Sequence, residues 1–596
     1  MPTTETKPST DVLFIRVGTI DELRDRQNIV VRGADRPICV FFNEGEPKAV
    51  DNRCPHLGFP LSKGTCDDGM ITCHWHHARF DACSGCTFDL WADDVEPFDI
   101  EVRGADVYVS NRPRRRGRSA AEHASERLRD GLEQNIGLII AKAILASRAA
   151  GVSDADIVRD VALFGARSRD GWAMGMTILT AMANVTPALS DETAYLALYQ
   201  GARRVAADCA GQPPRRDRHR LETDEHSDQT LGRWLRYWTT VRHRTGAERT
   251  LMTAIQRGAS DVELTGLVFT AATERFFADA GHLVDFSNKA FELLDLIGQD
   301  HASTVLPTLA GQLTSGRGGE ESNAWRHPVD LIPMVKDLTD RLPELLRRGT
   351  GKTWQDEPAI AEVILDDDPH RIIESLAQVI EAGAQPEQLG KALAYAAAMR
   401  IARFGTANEV SDWIGALHTF SYCNALHQAI KRDPGVTVVR GVIHGAMSVY
   451  LDRFLNVPPA RLPGETPADR KAIEQEQADP DELLRSFLDA LDSQQQIDRS
   501  ARLVARYLSL GHSPDALIDT LTFAAVREDA NFHTLQMLEA GVAQFRQWPA
   551  GSEQARNILI AVARYLAAHS PTQRAQLQTA RIALRLHRGE DVYEED

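Results

Sequence analysis

Long apolar segments, an export signal and a disulfide pattern are all missing from the sequence. The longest apolar stretch, Ile136 to Ala146, is too short to span a bilayer and contains Lys142. The N-terminus is polar and has no basic segment followed by an apolar core, so no export signal is expected. The eight cysteines do not follow the spacing of a secreted disulfide framework. These absences predict a cytoplasmic protein with no part in the membrane.

Basic residues and nucleotide-binding motifs are also scarce. The chain has 67 Lys and Arg against 84 Asp and Glu, and the net charge of −17 argues against nucleic acid or an anionic membrane as a partner. No G-x-G-x-x-G motif follows a convincing strand, so we do not expect the chain to bind NAD(P)H or a flavin itself. With 596 residues it can bury several cores and should form more than one domain.

Two short motifs near the N-terminus each combine a cysteine with a histidine: Cys54-Pro-His56 and Cys73-His-Trp-His76. Thiolates and imidazoles are metal ligands, and a Cys2His2 set can bind zinc. Zinc fingers usually pair cysteine with cysteine and histidine with histidine, whereas each motif here is mixed. The mixed pairs resemble the ligand set of a Rieske [2Fe-2S] cluster, in which two thiolates hold one iron and two imidazoles hold the other.

The resemblance to Rieske domains covers about residues 11–110 and includes more than the four ligands. Shared features lie after each motif and in the turns between them: Leu57-Gly58, Gly64, Asp68-Gly69, Arg79-Phe80-Asp81 and Gly85. The resemblance implies a small antiparallel β domain and a [2Fe-2S] cluster. It assigns Cys54 and Cys73 to one iron and His56 and His76 to the other.

Some family features are absent. Rieske proteins of respiratory and photosynthetic cytochrome complexes resemble C-T-H-L-G-C and C-P-C-H-G-S, with a disulfide between the two loops and a serine that donates to the cluster. Here Phe59 and Trp75 stand at the disulfide positions, and Ala78 replaces the serine. Fewer donors disfavour the reduced cluster, so we expect a potential toward the lower end of roughly −150 to +300 mV. The motif resembles the ferredoxin and aromatic-ring oxygenase branches.

The character of the sequence changes near residue 111. Before it, short β-rich runs alternate with Gly, Pro and Asp turns. The basic segment Arg112 to Arg118 lies in a predicted solvated linker over residues 111–130. From residue 131 to 596, apolar residues recur every three or four positions, which predicts an all-α domain.

The helical part is predicted to repeat about four times. Four similar phrases, GVSDADI, GASDVEL, GAQPEQL and GHSPDAL, each open with a glycine, at Gly151, Gly258, Gly383 and Gly511. In each phrase the glycine ends one helix and a cap residue begins the next. Units of this kind stack into an α-solenoid or close into a helical toroid.

Three histidines occupy matching places in the second helix of three units: His282, His418 and His533. If they point toward a common axis, they would supply three imidazoles to one mononuclear non-haem iron, with Asp285 or Asp529 as a carboxylate ligand. His444 is a further candidate ligand. The alternative is that each is an ordinary half-buried, hydrogen-bonded histidine of an amphipathic helix.

A Rieske cluster transfers single electrons, so the protein needs both a donor and an acceptor. An external ferredoxin or flavin reductase is expected as the donor. The D-x2-H-x4-H motif of Rieske oxygenases is absent. Residues 416–430 and 442–455 resemble questin-oxidase-like proteins, which act on polyketide aromatic compounds, in the placement of His and aromatic residues.

Three hypotheses follow. The first is an oxidoreductase in which the cluster serves a metal and substrate site in the helical domain, for an oxygen-dependent reaction on a small organic, aromatic substrate. The second is a ferredoxin-like electron-transfer protein whose helical repeats dock a redox partner. The third is a redox-responsive or iron-responsive scaffold without turnover.

Overall fold

The computed structural model describes residues 12–34, 36–114, 117–590 and 592–593. Contacts divide the chain into two compact units. The first unit comprises the described residues up to Ser153 and those from Gln578 onward, and the second runs from Asp154 to Leu577. Within the described ranges, no helix has both the length and the apolar character needed to cross a bilayer.

The first unit contains nine strands and three complete helices. The strands are β1 Phe14–Thr19, β2 Asn28–Arg32, β3 Pro37–Asn43, β4 Glu46–Asp51, β5 Thr65–Asp67, β6 Met70–Thr72, β7 Arg79–Asp81, β8 Pro97–Arg103 and β9 Asp106–Pro113. The helices are α1 Ile20–Arg26, α2 Ala120–Glu133 and α3 Gly137–Ala149. A six-stranded antiparallel sheet has the order β1-β9-β8-β4-β3-β2, and a smaller sheet has the order β5-β6-β7.

Strand β3 separates two hydrophobic cores. Successive side chains of a strand point to opposite faces of the sheet. Ile38 and Val40 therefore enter one core with Val107 and Val109. The alternate residues of β3 enter a second core that also contains both motif cysteines: Cys39, Phe41, Val50, Cys54, Leu61, Ile71, Cys73 and Phe80. The two motif cysteines are thus anchored in the interior of the β domain.

The structure confirms the expected antiparallel β domain followed by an all-helical region. The described residues of the predicted linker, 111–114 and 117–130, include parts of a strand and of a helix. Strand β9 continues to Pro113, and α2 begins at Ala120 with a capping box formed by Ser119 and Glu122. Arg118 donates to Asp94 at 3.0 Å, and 35% of its side chain is exposed. The basic composition suggested a linker, but these local hydrogen bonds favour ordered structure.

The remaining helices are α4 Asp154–Ser168, α5 Met174–Val185, α6 Asp191–Cys209, α7 Asp228–Thr240, α8 Arg244–Gln256, α9 Asp261–Ala272, α10 His282–Ile297, α11 Ala302–Val305, α12 Ala310–Ser315, α13 Leu331–Gly349, α14 Glu357–Ile364, α15 Pro369–Glu381, α16 Pro386–Ala402, α17 Val410–Arg432, α18 Val436–Asp452, α19 Pro467–Gln475, α20 Pro480–Ala490, α21 Ile497–Ser509, α22 Pro514–Val526, α23 Phe532–Phe545, α24 Glu553–Ala568 and α25 Ala575–His587. The chain returns to the first unit within α25, at Gln578.

Each of the four glycine phrases ends one turn and begins a helix. The glycines have φ values between 74° and 104°, in the left-handed region that favours glycine. Helices α4, α9, α16 and α22 begin three residues after them. The local pattern therefore agrees with the prediction, whereas the four-unit repeat as a whole stays a prediction.

Four long helices form the centre of the second unit. Helix α5 packs against α10, α10 against α17, α17 against α23, and α23 against α5, so the four close a ring. All but two of the residues of α5 are buried, as expected for a helix that is apolar on nearly every side. The polar residues that α10, α17 and α23 place inside the ring need hydrogen-bond or charge partners there, because burying an unpaired polar group costs free energy.

Candidate redox and metal centres

The two Cys-His motifs form loops with the same hydrogen-bond pattern. The amide of Cys54 donates to the carbonyl of Phe59 at 2.8 Å, and the amide of Cys73 donates to the carbonyl of Ala78 at 2.9 Å. Each cysteine carbonyl in turn accepts from the residue four positions later, Gly58 at 2.8 Å and His77 at 3.0 Å. Gly58 and His77 both have a left-handed backbone conformation. Glycine adopts this conformation readily. Two equivalent loops thus present the motifs.

The side chains of the two motifs lie together and fit the donor set of a [2Fe-2S] cluster. Cys54 and Cys73 are 2% and 1% exposed, and the rings of His56 and His76 lie 4.9 Å apart, edge to face. The hydrogen bond from Cys54 lowers the pKa of the Cys73 thiol, which favours a thiolate. Nδ1 of His56 is buried and has no hydrogen-bond partner among the described residues. An unpartnered imidazole nitrogen beside two buried sulfurs suits a metal ligand.

Histidine 56 is held as a neutral ring. Burial lowers its pKa to about 4, and the charges of His76 and Lys142 act in the same direction. Its ring packs edge-on against Trp91 at 4.8 Å. A neutral imidazole keeps a lone pair for iron near pH 7.

An aromatic contact joins the two loops at the positions where the Rieske proteins of cytochrome complexes have a disulfide. The rings of Phe59 and Trp75 lie 6.0 Å apart, and the ring of Tyr593 lies 5.0 Å from the first and 5.3 Å from the second. Gly589 also accepts a hydrogen bond from Arg53 at 2.8 Å. No sequence pattern near the C-terminus predicts the contact of Tyr593 with the motif loops.

The second unit brings the three matched histidines together. His282 is the first residue of α10, His418 lies in α17, and His533 is the second residue of α23. Each offers one ring nitrogen such that the three nitrogens lie within 4.8 Å of one another. Nε2 of His418 and Nε2 of His533 are 2.8 Å apart. We call these three residues the histidine trio.

The electrostatic surroundings favour neutral imidazoles at His418 and His533. Burial and the neighbouring His282 together lower the pKa of His418 to about 3 and that of His533 to about 4. All three side chains are partly exposed. His418 and His533 can therefore offer lone pairs at neutral pH, and all three rings remain accessible to a ligand.

Asp285 fixes the orientation of His282. Its Oδ2 lies 3.3 Å from Nδ1 of His282 and accepts a hydrogen bond of 2.6 Å from Nε2 of Gln536. Because the proton is held on Nδ1, the other ring nitrogen keeps its lone pair for a metal. Asp285 thus lies where it can orient His282, and it is not among the groups whose ligand atoms lie within 4.8 Å of one another. Gln536 was not recognised in the sequence, since a lone glutamine gives no metal-site signal.

Two expected ligands are not at the trio. The carboxylate of Asp529 accepts hydrogen bonds of 3.0 Å from the amides of Ala575 and Gln576 and so caps the start of α25. His444 lies on α18 with its ring 4.8 Å from that of Phe276. Helical spacing alone could not distinguish a helix-capping aspartate from a metal ligand.

The backbone before His282 is held in an unusual conformation. Four of the five residues that precede it have φ between 45° and 89°: Phe277, Asp279, Ala280 and Gly281. A Cβ atom at Gly281 would lie 2.9 Å from Cβ of Tyr422, so this position requires glycine. Residues in such conformations cluster at functional sites. Here they set the direction from which His282 enters the ring of helices.

Aromatic rings flank the trio on one side. Phe286 stacks on His282 at 4.8 Å, and Phe532 lies 4.6 Å from the ring of His533 and 5.6 Å from that of His282. These rings give the neighbourhood of the nitrogens an apolar, aromatic wall.

A buried charged cluster lies deeper in the ring of helices. Nζ of Lys289 donates to Glu292 and to Glu539 at 2.6 Å each. Asn184 of α5 donates to the same two carboxylates at 2.7 and 3.1 Å. Lys289 and Glu539 are 2% and 3% exposed, so the charges are compensated mainly by one another. This cluster ties α5, α10 and α23 together.

Comparison with known proteins identifies the N-terminal part. The family Rieske [2Fe-2S] domain matches residues 14–94. A ferredoxin component of naphthalene 1,2-dioxygenase/salicylate 5-hydroxylase systems from Ralstonia sp is 31% identical over 99 residues, which are 16% of this chain and 93% of that protein. A solved ferredoxin of carbazole 1,9a-dioxygenase from Nocardioides aromaticivorans IC177 is 25% identical over 16% of this chain and 95% of that one, with a TM-score of 0.16.

A longer relative matches over a shorter stretch. The 4beta-methylsterol monooxygenase of Methylococcus capsulatus is 41% identical over 66 residues, which are 11% of this chain. The chain spans 18% of the length of that monooxygenase. The likeness is therefore confined to a minor part of both proteins.

Proposed function

The chain belongs to the Rieske [2Fe-2S] domain family through residues 14–94, and we propose that it is an oxidoreductase that delivers electrons to a mononuclear iron bound by His282, His418 and His533. The observation that carries this proposal is the placement of three ring nitrogens, from three different helices, within 4.8 Å of one another. The reaction is an oxygen-dependent oxidation of a small organic substrate.

In the first unit, Cys54 and Cys73 bind the cluster through their sulfurs, and His56 and His76 bind it through ring nitrogens. When bound, such a cluster takes up and releases one electron at a time. The buried position of the two cysteines excludes water from their side of the site. A separate ferredoxin or flavin reductase supplies the electrons, and the protein acts in the cytoplasm.

In the second unit, the trio holds the iron and Asp285 keeps His282 in the required tautomer. Imidazole is a suitable ligand for ferrous iron, and a three-residue set leaves positions for oxygen and substrate. Because an imidazole that binds a metal through a lone pair carries no charge, an anionic oxygen of the substrate, such as a phenolate, would balance part of the metal charge. The rings of Phe286 and Phe532 suit an aromatic substrate.

Metal analysis of the anaerobically purified protein tests the proposal. We expect three irons per chain, two with the paramagnetic resonance of a reduced Rieske cluster. Replacing His418 with Ala should remove the third iron and the substrate-dependent oxygen consumption while the cluster signal persists. His427→Gln is the matched control, because His427 lies on the same helix but bonds to Gln544 at 3.2 Å. A protein with two irons, unaltered by His418→Ala, would refute the metal site.

A ferredoxin-like function is the second candidate. It is favoured by the Ralstonia relative, a ferredoxin component of dioxygenase systems of which this chain covers 93%. In this case the helical unit docks a redox partner, and the protein has two irons per chain and consumes no oxygen. Colourless, diamagnetic protein after reconstitution and dithionite treatment would exclude both candidates.

A further inference from the structure

A lysine from outside the matched family region contacts the first motif loop. Lys142 lies on α3, beyond residues 14–94. Its Nζ donates to the backbone carbonyls of Pro55 and His56, the second at 3.3 Å. Both carbonyls lie in the loop that presents Cys54 and His56. The ammonium group therefore sits directly behind two of the proposed cluster ligands.

Lys142 belongs to a small set of charged groups on that side of the loop. Asp93 is the carboxylate whose charge acts on Lys142, and Nε of Arg127 lies 3.2 Å from Oδ1 of Asp93. His123 approaches the same carboxylate at 3.5 Å. Lys142 and Asp93 also line a cavity of about 530 Å³ together with Cys54. The charge beside the ligand loop thus depends on both Lys142 and Asp93.

Asp93 and Lys142 each favour the ionised form of the other. Burial on its own would raise the pKa of Asp93, but the hydrogen bond with His123 and the charges of Lys142 and Arg127 lower it overall. Burial lowers the pKa of Lys142, and the charge of Asp93 opposes this effect. The ionised carboxylate and the ammonium therefore support each other.

We propose that Lys142 is a positioning residue that raises the reduction potential of the Rieske cluster, by holding the Cys54 loop through two carbonyls and by placing a positive charge behind it. On reduction, one electron from the donor enters the iron pair and makes its net charge more negative by one. A nearby positive charge stabilises that form, and a nearby negative charge destabilises it. No proton has to move at Lys142 for this effect.

The positive charge of Lys142 offsets the absence of a hydrogen-bond donor to the cluster. Ala78 stands where cytochrome-complex Rieske proteins have a serine that donates to the cluster, and a methyl group cannot donate. Lys142 supplies a positive charge from a helix that follows the matched domain. The potential is consequently controlled in part by a residue that the family motif does not contain.

Mediated redox titration followed by paramagnetic resonance tests this proposal on the full-length, cluster-loaded protein. Lys142→Met should shift the midpoint potential to a more negative value, and Asp93→Asn should shift it to a more positive one. Lys142→Arg should stay close to the wild type. Opposite shifts from the two neutralising variants are not expected if the pair only stabilises the fold.

The control is Lys48→Met, which removes the same charge from a lysine at the opposite end of β4 from Cys54, where it pairs with Glu46 at 2.8 Å. Its potential should equal that of the wild type. An unchanged or more positive potential in cluster-loaded Lys142→Met would overturn the proposal. If Lys142→Met cannot be loaded, Asp93→Asn decides, and the absence of a positive shift there overturns it as well.

Discussion

Nε2 of His418 lies 2.8 Å from Nε2 of His533, although 115 residues separate the two in the sequence. Because both rings are held neutral by burial, the pair has to share a single proton between the two nitrogens. A metal ion would replace that proton and accept both lone pairs, with the third from His282. The contact is thus the central feature of the proposed iron site.

Asp285→Asn should weaken the binding of ferrous iron about 10- to 100-fold, because an amide no longer fixes the proton of His282 on Nδ1. The measurement is a competitive titration against a coloured chelator. Asp295→Asn is the control, since Asp295 lies on the same helix and pairs with Arg432 through Nη1 at 3.1 Å, with 49% of its own side chain exposed. Equal affinities of the two variants would contradict the supporting role of Asp285.

Tyr593→Ala should loosen the two motif loops, because it removes the aromatic contacts of Tyr593 with Phe59 and with Trp75 and leaves only the direct contact between those two rings. Each such contact contributes about 0.5–1.5 kcal/mol. We expect faster bleaching of the cluster absorbance in the presence of a chelator. Tyr593→Phe keeps the ring and should bleach at the wild-type rate. Bleaching of the alanine variant at that same rate would show that the loops do not depend on the C-terminal contact.

Lys289→Met should destabilise the second unit by about 3–5 kcal/mol, because it leaves Glu292 and Glu539 as two uncompensated carboxylates inside the protein. Urea unfolding followed by circular dichroism measures the change. Lys431→Met is the control, since Lys431 is exposed and makes one long hydrogen bond of 3.4 Å to Gln547. A loss below about 1 kcal/mol for Lys289→Met would contradict the account.

Asp452 should make the stability of the second unit depend on pH. Burial raises its pKa from 3.8 to about 7, although Thr419 and Arg400 oppose the shift. Because the folded form binds the proton more tightly, the stabilisation is complete below pH 4 and is lost as the pH rises through 7. The rise in pKa corresponds to about 4 kcal/mol of unfolding free energy.

Asp452→Asn removes this group, so its unfolding free energy should vary less between pH 4 and 8 than that of the wild type. At pH 8 the variant should be the more stable protein. Unfolding curves at several pH values compare the two. Parallel profiles would mean that Asp452 does not titrate in this range.

Both motif loops could be predicted from the sequence because their ligands and turns lie close together in the chain. Cys54 and His56, or Cys73 and His76, are separated by one or two residues, and each loop is closed by hydrogen bonds within six residues. The glycine phrases were predictable for the same reason, since the left-handed turn at Gly258 and the helix that follows it depend on neighbouring residues. Sequence patterns report such local preferences directly.

The candidate iron site was predictable only in part. Matching positions indicated His282, His418 and His533, but the same reasoning also selected Asp529, which caps a helix, and His444, which packs on Phe276. Helical periodicity tells which residues share a face, and it does not tell which faces meet.

The sequence alone determines the iron-ligating motifs, the β domain and the helical character of the rest. Each of these depends on residues only a few positions apart. Packing alone decides that three imidazoles converge, that Lys142 reaches the Cys54 loop and that Tyr593 covers Phe59 and Trp75. These contacts join residues between 86 and several hundred positions apart. They form only when the burial of many apolar side chains has fixed how the helices and sheets pack.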